Sequence, residues 1–232
     1  MSDELLAVPL VPDNDADQEL SGDVEALSDE EVAGARMRLL RRTIERIEGG
    51  EDVAVALTTE FHPAPGTRFT HATVSLRLTA PPGVQVIEVA PVELRTTDPV
   101  TFKVTRSGKI SFEKFIKAEA GIADEVSYTT YPCLVRGAGA ASMYATWSFE
   151  EHAKAHGGIG QQQELLLTLP GTGPFQAEVR VAARLLKPGL PGIAERVRDL
   201  VLGPQLREGR TRSVSLILPP ASKRSGLFAF LR

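Results

Sequence analysis

The stretch His71–Ala80, HATVSLRLTA, decides how this chain is read. Ala72, Val74, Leu76 and Leu78 alternate with His71, Thr73, Ser75, Arg77 and Thr79. A period of two puts the first set on one face of a strand and the second on the other, so one face suits a core and the other suits water. The same period recurs on either side. Val53, Val55 and Leu57 alternate with Ala54 and Ala56, and Phe102 and Val104 with Thr101, Lys103 and Thr105. Met143, Ala145 and Trp147 share one strand face, as do Val179, Val181, Ala183 and Leu185. Shorter strands are read at Val84–Val89, Ser127–Tyr131, Leu165–Leu169 and Val214–Leu218.

Between these runs lie turn signals: Pro81-Pro82-Gly83, Ser107-Gly108 and Pro170–Pro174. Ser107-Gly108 joins the strand at 101–105 to one at 109–115 as a hairpin. Short strands separated by turns, with little helix between them, specify a mostly β fold: an antiparallel β-sandwich over residues 51–220, not a parallel α/β sheet.

The ends read differently. Residues 1–27 hold eight acids from Asp3 to Glu25 and no lysine or arginine, which predicts a disordered acidic tail. Residues 28–50 read as an amphipathic helix. Ser28 and Glu31 have capping-box spacing, Val32, Met37, Leu40, Ile44 and Ile47 recur near the helical period, and Gly49-Gly50 ends the run. Ile193–Leu202 reads as a second, short helix stopped by Gly203-Pro204. Residues 221–232 form a basic, apolar C-terminal segment.

Composition narrows the classes. Cys133 is the single cysteine, so no internal disulfide forms and no disulfide-linked partner is expected; a reducing, cytoplasmic setting is the simplest fit. A net charge of −4 gives no overall basic excess, and nucleic acid is not an expected partner. No stretch approaches the roughly 18 apolar residues of a membrane-crossing helix.

Candidate sites are few. His152 and His156 lie four apart after Glu150 and Glu151, a spacing that puts two imidazoles on one helix face. No second ligand cluster is visible beside them, so no metal and no cofactor are expected. Cys133 follows Tyr131-Pro132 and reads as a small buried hydrophobe. The glycine-rich runs at 137–140 and 157–160 lack the lysine and strand-to-helix context of a phosphate loop. Leu227, Phe228, Phe230 and Leu231 put four large apolar residues within five positions, beside Lys223, Arg224 and Arg232; they are the expected partner-binding residues.

From these signals the first expectation is a non-catalytic binding or assembly module acting on a protein partner or on itself, with a membrane not the expected partner. The alternative is an enzyme with a site where Glu150, Glu151, His152 and His156 meet Tyr131 and Cys133, with a metal as an option. A further alternative is a membrane-active β protein, based on the Ser/Thr-rich amphipathic strand Phe69–Ala80.

Overall fold

The structure is a computed structural model of the chain, and it describes residues 3–12, 25–97, 100–105, 110–112, 125–152, 156–171, 173–188, 196–202 and 211–217. The first strands are β1 (Asp3–Pro12), β2 (Glu25–Ala26), β3 (Arg36–Arg46), β4 (Val53–His62) and β5 (Arg68–Ala80), with one helical turn, α1 (Asp29–Val32), before β3. The middle of the chain forms β6 (Glu88–Ala90), β7 (Glu93–Arg95), β8 (Val100–Thr105), β9 (Ile110–Phe112), β10 (Glu125–Thr130), β11 (Cys133–Ala138) and β12 (Tyr144–Glu150). The last four are β13 (Gln162–Leu169), β14 (Phe175–Lys187), β15 (Arg196–Leu202) and β16 (Thr211–Ile217).

Two antiparallel sheets pack together, as the alternating runs require. One has the order β6-β13-β4-β3-β1, and the other β1-β15-β14-β5-β12-β11-β7. β1 belongs to both. Asp3 to Pro9 pair with β3, and Leu10 to Pro12 pair with β15. Pro9, which has no amide hydrogen to give a ladder, sits where the strand changes partner. The inner faces carry the alternating residues read from sequence: Val74 and Leu76 on β5, Val55 and Leu57 on β4, Val179 and Val181 on β14, all fully buried. Phe61 of one sheet meets Phe69 and Phe149 of the other, with ring centroids 5.9 and 5.3 Å apart.

Three expectations fail at the level of elements. The acidic N-terminus is not a free tail over its first residues, because Leu6, Val8 and Leu10 give β1 an apolar side and the acids meet the arginines of β3. Glu4 Oε2 lies 2.7 Å from Arg38 Nη2, and Asp3 pairs with Arg41. Hydrogen bonding to Glu4 raises the Arg38 pKa above its usual value, with burial opposing and the nearby charges of Glu4 and Glu60 adding to the rise. Residues 13–24 of the expected tail lie outside the described residues.

The expected helix at 28–50 is mostly strand. The capping box is real: the Glu31 amide donates to Ser28 Oγ at 3.3 Å, and the Ser28 amide donates to Glu31 Oε2 at 3.0 Å. It caps only α1, which ends before Gly34 at φ +92. Met37 and Leu39 then alternate into the core against β4, and a register shift between Arg41 and Thr43 displaces the remaining residues. That shift made the apolar spacing look helical. Gly49, at φ +81, serves a hairpin turn instead of a helix end, with the Ile47 amide donating to Asp52 O at 2.9 Å. The expected helix over 193–202 is likewise β15 from Arg196, paired with β14 and β1.

Candidate functional site

The edge pair of the larger sheet does not stop where the sheet stops. β7 pairs with β11, Glu93 opposite Arg136 and Arg95 opposite Cys133. Beyond them Pro99 and Pro132 remove two ladder donors from the sequence. The two chains stay side by side across the gap: the Thr96 amide donates to Pro132 O at 2.9 Å, and Arg95 Nη1 donates to Tyr131 O at 2.9 Å. Pairing then resumes between β8 and β10, from Val100 opposite Thr130 to Thr105 opposite Glu125. The two antiparallel pairs, β7–β11 and β8–β10, are together called the ribbon.

β9 adds to the free side of β8, giving a separate three-stranded sheet in the order β10-β8-β9. Its register sorts residues by row. Val126, Val104 and Ile110 form one row, and Tyr128, Phe102 and Phe112 the next but one. Between them lies the row Ser127, Lys103 and Ser111. Rows of one parity hold Val126-Val104-Ile110, Tyr128-Phe102-Phe112 and Thr130-Val100, and rows of the other hold only Glu, Ser, Thr and Lys. At the root of the ribbon three apolar or aromatic side chains are exposed beside the charged Glu93, Arg95 and Arg136: Val92 is 61% exposed, and Leu94 and Tyr131 are each 47% exposed.

The hairpin at β8 and β9 and the strand at β10 were legible as separate strand runs. Their pairing was not, because Tyr128 meets Phe102 across a long connection that no local signal marks.

The enzyme residues expected near Tyr131–His156 are distributed among other partners. Glu150 Oε1 lies 2.8 Å from His71 Nδ1, and Glu151 Oε1 accepts from the Gly158 amide at 2.7 Å. Arg68 Nε also lies 2.7 Å from Glu151 Oε1, an ion pair out of hydrogen-bond alignment. Cys133 Sγ donates to Val135 O at 3.0 Å, and His156 sits on a turn at φ +46. Among the described residues no group of three or more His, Cys, Asp or Glu is arranged to hold a metal ion.

One arrangement escaped the sequence reading. Thr73 Oγ1 lies 3.2 Å from His71 Nε2, whose other nitrogen meets Glu150, an order of hydroxyl, imidazole and carboxylate. Nucleophilic catalysis also needs a cleft and donors for a developing oxyanion. These three lie on the outer face of β5 and β12, where Thr73 has Ser148 and Ala182 as ladder neighbours. They form a cross-strand polar ladder on the surface.

Leu227, Phe228, Phe230 and Leu231 lie outside the described residues. No helix among the described residues is long and apolar enough to cross a membrane, which says nothing of crossing by strands.

No family model and no curated protein matches the chain. Solved structures resemble it at low identity, these two among them. One is described as a pore forming protein, with 9% identity, a TM-score of 0.30, and coverage of 79% of this chain and 85% of that one. The other is the Clostridium perfringens NetB toxin in its membrane-inserted form, with 8% identity, a TM-score of 0.27, and coverage of 78% and 88%. These neighbours run against the expectation of a cytoplasmic, non-catalytic binding module for which a membrane is not the partner, and that expectation is withdrawn. At scores of this size the likeness supports nothing further, and the functional reading rests on the chain's own geometry.

Proposed function

We propose that this chain is a membrane-active β protein in which the sheet β10-β8-β9 is the element that meets the bilayer. The observation that carries the reading is the register of that sheet, in which the apolar rows Val126-Val104-Ile110 and Tyr128-Phe102-Phe112 bracket the polar row Ser127-Lys103-Ser111. A strand that separates lipid from water needs this division, apolar on the lipid side and polar on the other. The basis offered by sequence, the strand at 69–80, is replaced. β5 lies between β14 and β12, with its apolar residues in the core.

A tilted strand crosses a bilayer with about 9–11 residues. β8 and β10 have 6 residues each, too few to cross on their own, so crossing by this sheet would draw in the residues next to them in sequence. Val92, Leu94 and Tyr131 place exposed apolar and aromatic groups at the root, where an interface would lie.

Self-association belongs to the same proposal. In hydrocarbon every backbone N–H and C=O must be paired, so an open sheet edge is not tolerated. One three-stranded sheet has two edges, and closing it requires copies side by side.

The test uses single cysteines at positions 101 to 105 in a Cys133→Ser background, each labelled with a polarity-sensitive dye. On adding phosphatidylcholine–phosphatidylserine vesicles, labels at 102 and 104 should shift to the blue and those at 101, 103 and 105 should not, with release of an encapsulated dye. A shift without alternation, or no release, would overturn the proposal.

A further inference from the structure

A shallow open groove of about 520 Å³ is lined by Gly83, Val84, Ile87, Ala141 and Pro170 among others. Its walls come from three places: the segment after β5, the turn between β11 and β12, and the turn between β13 and β14. Val86 bridges to Ser142, and the Ile87 amide donates to Thr168 O at 2.9 Å, so the walls are tied together. The lining is largely apolar, and Ile87 stands 43% exposed over it. The size falls within the range of about 300–1,000 Å³ usual for occupied clefts.

We infer that this groove is the seat of the chain's own segment Leu227–Leu231. The segment carries four large apolar side chains in five positions, which seek cover from water. The path starts beside the groove. β16 ends with Ile217 opposite Phe175, five positions after the lining residue Pro170. On the other side of β14, Gln176 pairs with Ala80, three positions before the lining residue Gly83. Ile217 is therefore two strand spacings from β5, about 10 Å. The nine residues that separate Ile217 from Leu227 reach about 30 Å when extended, which covers that span with slack. Pro219 and Pro220 lack amide hydrogens and favour leaving the ladder of β16 over extending it. The inference stands whether or not the ribbon enters a membrane.

The experiment replaces Phe228 of the full chain with the photo-cross-linking residue benzoylphenylalanine and maps the adducts by mass spectrometry at dilute concentration. Adducts within one chain, to Gly83–Ile87 or to the peptide holding Pro170, are expected. Adducts elsewhere, adducts only between chains, or none would overturn the inference, the second outcome meaning that another copy supplies the segment. Ile87→Glu changes an exposed residue, so the fold should survive, as a thermal melt would verify. It should cut the adduct yield about tenfold, the ratio that a loss of about 1.4 kcal/mol corresponds to. An unchanged yield would also overturn the inference.

Discussion

Trp147 shows how much one residue asks of its neighbours. It is fully buried on β12, as its place in an alternating run implies, and its indole Nε1 donates to Ala90 O at 3.2 Å. The ring lies over Gly137, where a Cβ would come 2.3 Å from Pro91 O and 3.1 Å from Trp147 Cδ1. A backbone oxygen cannot swing aside, so the glycine is required by close approach and not by backbone conformation. Trp147→Phe keeps most of the apolar area and leaves the Ala90 carbonyl without its donor; it should cost about 1–3 kcal/mol in urea unfolding. Gly137→Ala should cost a similar amount through overpacking, about 1–3 kcal/mol. If both variants unfold at the wild-type midpoint, this account of the contact is wrong.

At the scale of elements, β1 and β3 carry the most consequence. β1 supplies a ladder to β3 at one end and to β15 at the other, and it buries Val8 and Leu10. Deleting residues 1–12 should open two strand edges and remove the acid partners of Arg38 and Arg41. Burial of two such side chains is worth about 1.5–3 kcal/mol each. At roughly 2–4 °C per kcal/mol for a chain of this size, Tm should fall by about 10–20 °C. A disordered tail would leave the melt unchanged, so circular dichroism on the shortened chain separates the two. Gly49 offers a smaller check. Nothing lies within 4 Å of an added Cβ there, yet φ is +81. Gly49→Ala should therefore cost about 1–2 kcal/mol through backbone strain alone.

For the whole molecule, the question is what a rigid sandwich does with a ribbon that leaves its edge. The main body is held by facing aromatic and aliphatic side chains, while the sheet β10-β8-β9 is joined to it through the β7–β11 pair. Under the proposed function the two faces of that small sheet respond differently to charge. Val104→Arg, in an apolar row, should weaken insertion by about 2–4 kcal/mol, the cost of a basic side chain at mid-bilayer. Thr105→Arg, in the adjacent polar row, should leave it nearly unchanged. Vesicle flotation with the two variants reads the difference directly, and equal loss in both would point to a general charge effect in place of a lipid-facing row.

The sequence by itself determined the β class, the alternating faces of β4, β5, β12 and β14, and the turn residues between them, because strand period and turn chemistry are local. It determined the capping box at Ser28 and Glu31 as well. Tertiary structure decided everything that depended on a partner strand. Arg36–Arg46 carries apolar residues that fit both a helical and an extended period, and pairing with β1 and β4 settled it as strand. The same competition turned Arg196–Leu202 from the expected helix into β15. The acidic start became a strand because Val8 and Leu10 found cover in the core, with arginines distant in sequence meeting its charges. The amphipathic ribbon was decided in the same way: its alternation is written in residues 100–105 and 125–130, but its two faces exist only once Phe102 and Tyr128 share a row, and register between separated strands is a property of the fold.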